Sequence, residues 1–134
     1  MIAMIKGEYK YPDITQRIIG CAMRVHSALG CGFPEIIYQC AINIEMKDEG
    51  LKFEDEKMIS VYYKNHHIGT RKVDFLVEQV VSVELKAISD LNDSNLNQGL
   101  NYLEAFNLEV GLLLNFGSKS LQFKRLINSK KTAD

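Results

Sequence analysis

The spacing of apolar residues changes twice along this chain, and these changes constrain the fold more than any single motif. Residues 13–30 and 34–50 show helical spacing, with apolar residues three and four positions apart. From Leu51 the spacing shortens towards two through three segments, the last of which is VVSVELKA at residues 80–87. Helical spacing returns in SNLNQGLNYLEAFN, and EVGLLLNFG and LQFKRLI then indicate two more strands. The predicted element order is ααβββαββ.

This order predicts an α/β fold with a mixed central β-sheet flanked by helices, because a helix crosses from the third strand to the fourth. The first helix is expected to have Asp13 as its N-cap and to end at Gly30. The second is expected to begin with Pro34 in its first position and to end at Gly50. Its predicted apolar face consists of Ile37, Ala41 and Ile44.

Length and composition predict one domain. With 134 residues and 46% hydrophobic content, we expect a single domain over residues 1–134, with a core of about 13–127 and a mobile basic C-terminal tail, NSKKTAD. No apolar run is long enough to span a bilayer and charge begins early, so we expect a cytoplasmic protein without membrane association. Three cysteines without C-x-x-C spacing indicate reduced thiols in or near the core, and neither a disulfide framework nor a zinc site.

The charge balance limits how the chain could bind nucleic acid. Sixteen basic and 17 acidic residues give a formal net charge of −1, which provides no overall attraction to phosphate. Binding to DNA or RNA would therefore depend on a local patch of the surface.

The strand VVSVELKA contains two opposite charges where a central strand would be apolar. Because side chains alternate across a sheet, Glu84 and Lys86 should share one face, opposite Val83. In the preceding strand, Asp74 should likewise point away from its apolar neighbours. A tight hairpin at Glu78 and Gln79 could then bring Asp74 beside Glu84 and Lys86.

This charged face has two possible interpretations. It could be a solvated sheet face with a cross-strand salt bridge, which would contribute little to stability. Alternatively, the two carboxylates could bind a cation, and hard oxygen ligands of this kind suit Mg²⁺ or Mn²⁺. A lysine beside such an ion could orient or help deprotonate a water that attacks a phosphodiester.

A further motif, GFPEIIY, places Gly32, Glu35 and Tyr38 in a G-x-x-E-x-x-Y pattern. Together with RKVDFLVE, VELKA, NQGLNYL and GLLLNFG in this order, it resembles the GxxExxY protein family. That family is similar in turn to the PD-(D/E)XK nuclease superfamily. The resemblance extends from about Ile18 to Leu126, which is nearly the whole domain.

The resemblance implies a restriction-endonuclease-like fold and a Mg²⁺- or Mn²⁺-dependent nuclease that acts on DNA or RNA. By similarity, Glu35, Asp74 and Glu84 would be metal-binding carboxylates, and Lys86 would be the catalytic lysine. Gln98 would be the polar residue that superfamily members often add from the following helix.

Other interpretations of the same residues stay open at this stage. Glu35 could simply interact with the helix dipole, Tyr38 could orient Glu35 or belong to the core, and Gln98 could face solvent. The fold could also serve a catalytically silent module that binds nucleic acid or protein. A chain this small could require a homodimer or a protein partner to hold its substrate.

Overall fold

The structure is a computed structural model that describes residues 11–131. Its elements follow the predicted order ααβββαββ. They are α1 (Pro12–Leu29), α2 (Glu35–Asp48), β1 (Phe53–Tyr63), β2 (His66–Val77), β3 (Val81–Lys86), α3 (Asp93–Phe106), β4 (Val110–Asn115) and β5 (Gln122–Ile127).

The five strands form one sheet in the order β1-β2-β3-β4-β5. β3 and β4 are parallel because α3 crosses between them, and the other neighbouring strands are antiparallel. This confirms the predicted mixed sheet flanked by helices. α1 and α2 cover one face of the sheet with the larger apolar cluster, and α3 covers the other face through Leu103, Leu113 and Leu126. The central strand β3 is consequently buried on both faces.

The predicted start of α1 was wrong by two residues, whereas its predicted end was correct. The helix begins at Pro12 after Tyr11, so Asp13 lies in the first turn instead of capping it. Proline suits this position because the first helical N–H groups have no partner within the helix. Gly30 is the C-cap, and its N–H donates to the carbonyl of His26.

The predicted apolar face of α2 was correct only at Ala41, which is partly buried against the core. Tyr38, Ile42 and Met46 are buried, while Ile37 and Ile44 are exposed. Tyr38 can be fully buried because its hydroxyl donates to the carbonyl of Gly30 (2.6 Å) and accepts from the N–H of Phe33 (3.2 Å). The prediction failed because apolar residues lie on both the buried and the exposed sides of this helix, so their spacing does not identify one face.

The ends of α2 and the environment of the cysteines also differ from expectation. Pro34 is the N-cap of α2, and the helix ends at Asp48, before Gly50. The cysteines are free thiols as expected, but only Cys21 is buried, while Cys31 and Cys40 are exposed.

The ends of the predicted domain are described only in part. Residues 1–10 and 132–134 lie outside the described range, and the latter are the last three residues of the predicted seven-residue tail. Asn128, the first residue of that tail, is buried and its amide donates to the carbonyls of Leu103 and Leu108. The folded part thus extends at least one residue past the predicted core. No helix within residues 11–131 is long and apolar enough to cross a membrane.

Asn115 holds together the segments that leave β3 and β4. Its side chain is fully buried, accepts from the N–H groups of Ile88 and Gly117, and donates to the carbonyl of Ile88 and to Gln122. These bonds fix the chain directly after Lys86. The position of Lys86 therefore depends on a buried amide one strand away.

We predict that Asn115→Ala lowers the free energy of unfolding by about 3 kcal/mol, because it leaves several buried backbone groups without partners. Urea denaturation measures this change. Asn43→Ala is the matched control, since Asn43 makes one exposed hydrogen bond to Asp55 and should cost under about 1 kcal/mol. Equal losses in the two variants would contradict this role of Asn115.

Candidate active site

β2 and β3 separate at the two carboxylates that the sequence placed side by side. Their paired residues run from Val77 with Val81 to Phe75 with Val83. Beyond that pair, the N–H of Leu85 donates to Oδ2 of Asp74 (2.8 Å), and the N–H of Asp74 donates to Oε2 of Glu84 (3.2 Å). Each carboxylate is thus held by backbone of the opposite strand. The predicted hairpin at Glu78 and Gln79 does bring the two strands together.

The charged face of β3 is not solvated. Glu84 is only 9% exposed and its neighbour Ser82 only 3%, because α3 packs over this face. A carboxylate this buried differs from a surface ion pair, whose charges remain hydrated. The exposed salt-bridge interpretation is therefore wrong for Glu84.

Glu35 reaches the same region from the first turn of α2. Its carboxyl interacts electrostatically with Asp74 and Lys86. The G-x-x-E-x-x-Y pattern has a structural basis here, since Gly32 adopts φ 115°, a backbone conformation that favours glycine. The rings of Tyr38 and Phe116 stack with their centroids 4.7 Å apart. The Tyr38 hydroxyl also fixes the loop that precedes Glu35 through its two hydrogen bonds to backbone. Tyr38 therefore belongs to the core and also supports the start of α2.

Lys86 is the last residue of β3 and points towards α3. Its Nζ donates to Oε1 of Gln98 at 3.3 Å. The first turn of α3 fixes the position of Gln98. In that turn, the side chains of Asn92 and Asn95 each accept a hydrogen bond from the other residue's N–H. Gln98 therefore contacts Lys86, and the interpretation that it simply faces solvent is wrong.

Tyr102 and Arg71 also lie beside this cluster, and neither was among the predicted site residues. Burial raises the pKa of Tyr102, Glu84 and Asp74 raise it further, and Arg71 opposes them. Tyr102 lies one helical turn after Gln98, and this spacing makes a polar contact with the site possible. Arg71 has no such signal in the sequence, because packing of the hairpin against α3 sets its position beside Tyr102.

The three carboxyl groups all bind protons more tightly than usual. Burial raises the pKa of Glu84 to about 8, with a further contribution from the charge of Asp74, while the N–H of Asp74 and Lys86 oppose the rise. Burial also raises the pKa of Asp74 and of Glu35, and in Glu35 the charge of Asp74 adds to it. The positive charges and N–H groups around these carboxyl groups therefore do not fully compensate their negative charge.

These residues fit a divalent cation by their chemistry. Glu35, Asp74 and Glu84 offer hard oxygen ligands, and a cation would offset the cost of burying their negative charges, which is the main reason that their pKa values are raised. Within residues 11–131, no three His, Cys, Asp or Glu side chains are already gathered around one point as metal ligands. We therefore expect ion binding to involve rotation of at least one of these side chains.

Comparison with known proteins identifies the family. Residues 12–126 match the sequence model of the PD-(D/E)XK nuclease superfamily. The chain belongs to the PD-(D/E)XK nuclease superfamily. None of the curated proteins matches the chain significantly.

A solved structure shares the fold of this chain. The crystal structure of SSO0001 aligns with a TM-score of 0.55 at 16% sequence identity, over 94% of this chain. The alignment spans 60% of the SSO0001 chain. At this identity, the similarity concerns the fold alone.

The raised pKa of Glu84 predicts how stability depends on pH in the metal-free protein. The folded protein holds a proton that the unfolded chain releases near its ordinary pKa of 4.5. The contribution to stability is therefore complete below about pH 4.5 and is lost as the pH rises through about 8. Glu84→Gln cannot ionise, so at pH 8.5 it should melt roughly 5 °C above the wild type.

Thermal melts in chelator between pH 5 and pH 8.5 measure this effect. Glu104→Gln is the matched control, because Glu104 is an exposed carboxylate on α3. A wild-type stability that runs parallel to that of Glu84→Gln across this range would contradict the burial of an ionisable Glu84.

Proposed function

We propose that this chain is a metal-dependent nuclease that hydrolyses phosphodiester bonds in nucleic acid, and that it belongs to the GxxExxY family within the superfamily. One observation carries the proposal. Asp74, Glu84 and Lys86 meet where β2 and β3 separate, and burial keeps both carboxyl groups unusually basic. Such clustering of perturbed groups is typical of active sites.

Glu35, Asp74 and Glu84 would hold Mg²⁺ or Mn²⁺. A bound divalent cation supplies positive charge and Lewis acidity at the phosphate. The protein prepares two of these carboxylates in advance, since backbone N–H groups hold Oδ2 of Asp74 and Oε2 of Glu84. This preorganisation lowers the cost of assembling the site around a substrate.

Lys86 would orient the attacking water and stabilise negative charge that develops at the phosphate. Its ammonium group has three N–H donors, and the hydrogen bond to Gln98 engages one of them. The remaining donors can serve a water or a phosphate oxygen. Gln98 is the positioning residue for Lys86 in this scheme.

A second candidate function is a binding module without catalysis. Apolar side chains are exposed around the start of α2, at Phe33, Ile36 and Ile37. Exposed apolar residues that cluster on a surface are typical of contacts with another protein or a second copy of the chain. On this alternative, the carboxylates would be retained without any turnover of nucleic acid.

We predict that Lys86→Met slows single-turnover cleavage by about 10²-fold or more, the scale typical of a lost acid-base or electrostatic group. The substitution keeps much of the apolar stem, so the melting temperature and the calorimetric affinity for Mg²⁺ should be largely unchanged. The substrates are pooled single-stranded, double-stranded and branched DNA and RNA, with Mg²⁺ or Mn²⁺.

Lys47→Met is the matched control, because Lys47 is exposed in the last turn of α2 and should cleave at the wild-type rate. Cleavage by Lys86→Met at the rate of Lys47→Met would remove Lys86 from the mechanism. If wild-type protein cleaves none of the pool with either ion, the nuclease proposal fails and the binding module remains.

A further inference from the structure

The β1–β2 hairpin extends far beyond the rest of the sheet. β1 has 11 residues and β2 has 12, but β3 has six and pairs with β2 only at residues 75–77. Residues 57–73, which we call the arm, form a ribbon of two strands closed by Lys64 and Asn65, with φ of 49° and 66°. A turn of this kind matches the twist of a hairpin.

The arm differs in charge from the remainder of the chain. It contains Lys57, Lys64, Arg71 and Lys72 and no acidic residue, in a sequence of 16 basic and 17 acidic residues. Lys57 and Lys72 form ion pairs with Glu54 and Glu56 at its base. Lys64 and Arg71 have no acidic partner among the described residues, so their charges are available to a ligand.

The tip of the arm combines this charge with exposed aromatic rings. Tyr62 and Tyr63 are 63% and 61% exposed. The ring of Tyr62 packs edge-on against His67 at 5.6 Å, and Nζ of Lys64 lies 5.5 Å from the ring of Tyr63. Basic side chains of this kind suit contacts with phosphates, and exposed apolar rings can contact the thymine methyl groups that line a major groove.

The base of the arm adjoins the candidate active site. A cavity of about 230 Å³ lies between the arm and α3, and Val61, Arg71, Gln98, Asn101, Tyr102 and Ala105 line it. Gln98 in this cavity contacts Lys86. The surface of the arm is therefore continuous with the residues proposed to cleave the substrate.

We propose that the arm binds duplex DNA by entering its major groove beside the cleavage site, an inference that rests on the proposed nuclease function for its substrate. The major groove of B-DNA admits a two-stranded β-ribbon, whereas the major groove of duplex RNA is too deep and narrow. At about 3.3 Å per residue, residues 66–74 extend roughly 30 Å from Asp74 to the tip, close to one turn of B-DNA.

Binding measured without divalent ions tests this proposal separately from catalysis. Full-length protein is titrated in chelator against a fluorescent 30-base-pair DNA duplex, a single strand of the same sequence and the matching RNA duplex. Lys64→Glu should weaken binding to duplex DNA by about 10-fold and reduce its dependence on salt. Lys64→Gln should fall between that variant and the wild type.

Lys47→Glu is the matched control, because it changes the net charge equally at an exposed site on α2, and it should stay within about twofold of the wild type. Equal effects of the two charge reversals would overturn the proposal. So would duplex RNA or single-stranded DNA that binds as tightly as duplex DNA. If the wild type cleaves nucleic acid but Lys64→Glu binds duplex DNA as the wild type does, the role of the arm is wrong and the nuclease proposal stands. If binding depends on the arm but no cleavage occurs, only the nuclease proposal is wrong.

Discussion

The burial of the Glu84 carboxyl between two separating strands is the constraint on which the rest of the site depends. A lone ionised carboxylate at this depth is costly, and here it has only one backbone N–H and the nearby Lys86 to offset that cost. Asp74 lies directly opposite and adds repulsion to the desolvation. The site therefore favours whatever neutralises it, either a proton or a cation.

The surrounding fold keeps these groups together despite their repulsion. Tyr38 anchors the loop before Glu35, and Asn115 anchors the segment after Lys86. Both are fully buried polar side chains whose hydrogen bonds go mainly to backbone, so their positions are rigid. The apolar clusters on the two sheet faces then prevent β2 and β3 from moving apart. Packing and hydrogen bonds elsewhere in the domain thus keep these acidic groups close together although their charges repel.

Sequence periodicity predicted the parts of this arrangement that follow from local geometry. Alternation along β3 placed Glu84 and Lys86 on one face, and the turn at Glu78 and Gln79 placed Asp74 opposite them. It failed for most of the buried face of α2, because apolar residues lie on both the buried and the exposed sides of that helix. The proximity of Arg71 to Tyr102 depends on tertiary packing between the hairpin and α3, so spacing along the chain carries no signal for it.

Glu84 is a desolvated carboxyl, and we expect a divalent cation to displace its proton. NMR titration of the Glu84 side-chain carboxyl carbon, with and without saturating Mg²⁺, measures this exchange. The pKa should be about 8 without the ion and much lower with it. A pKa near the ordinary 4.5 that Mg²⁺ does not change would rule out both the desolvated carboxyl and its binding of the ion.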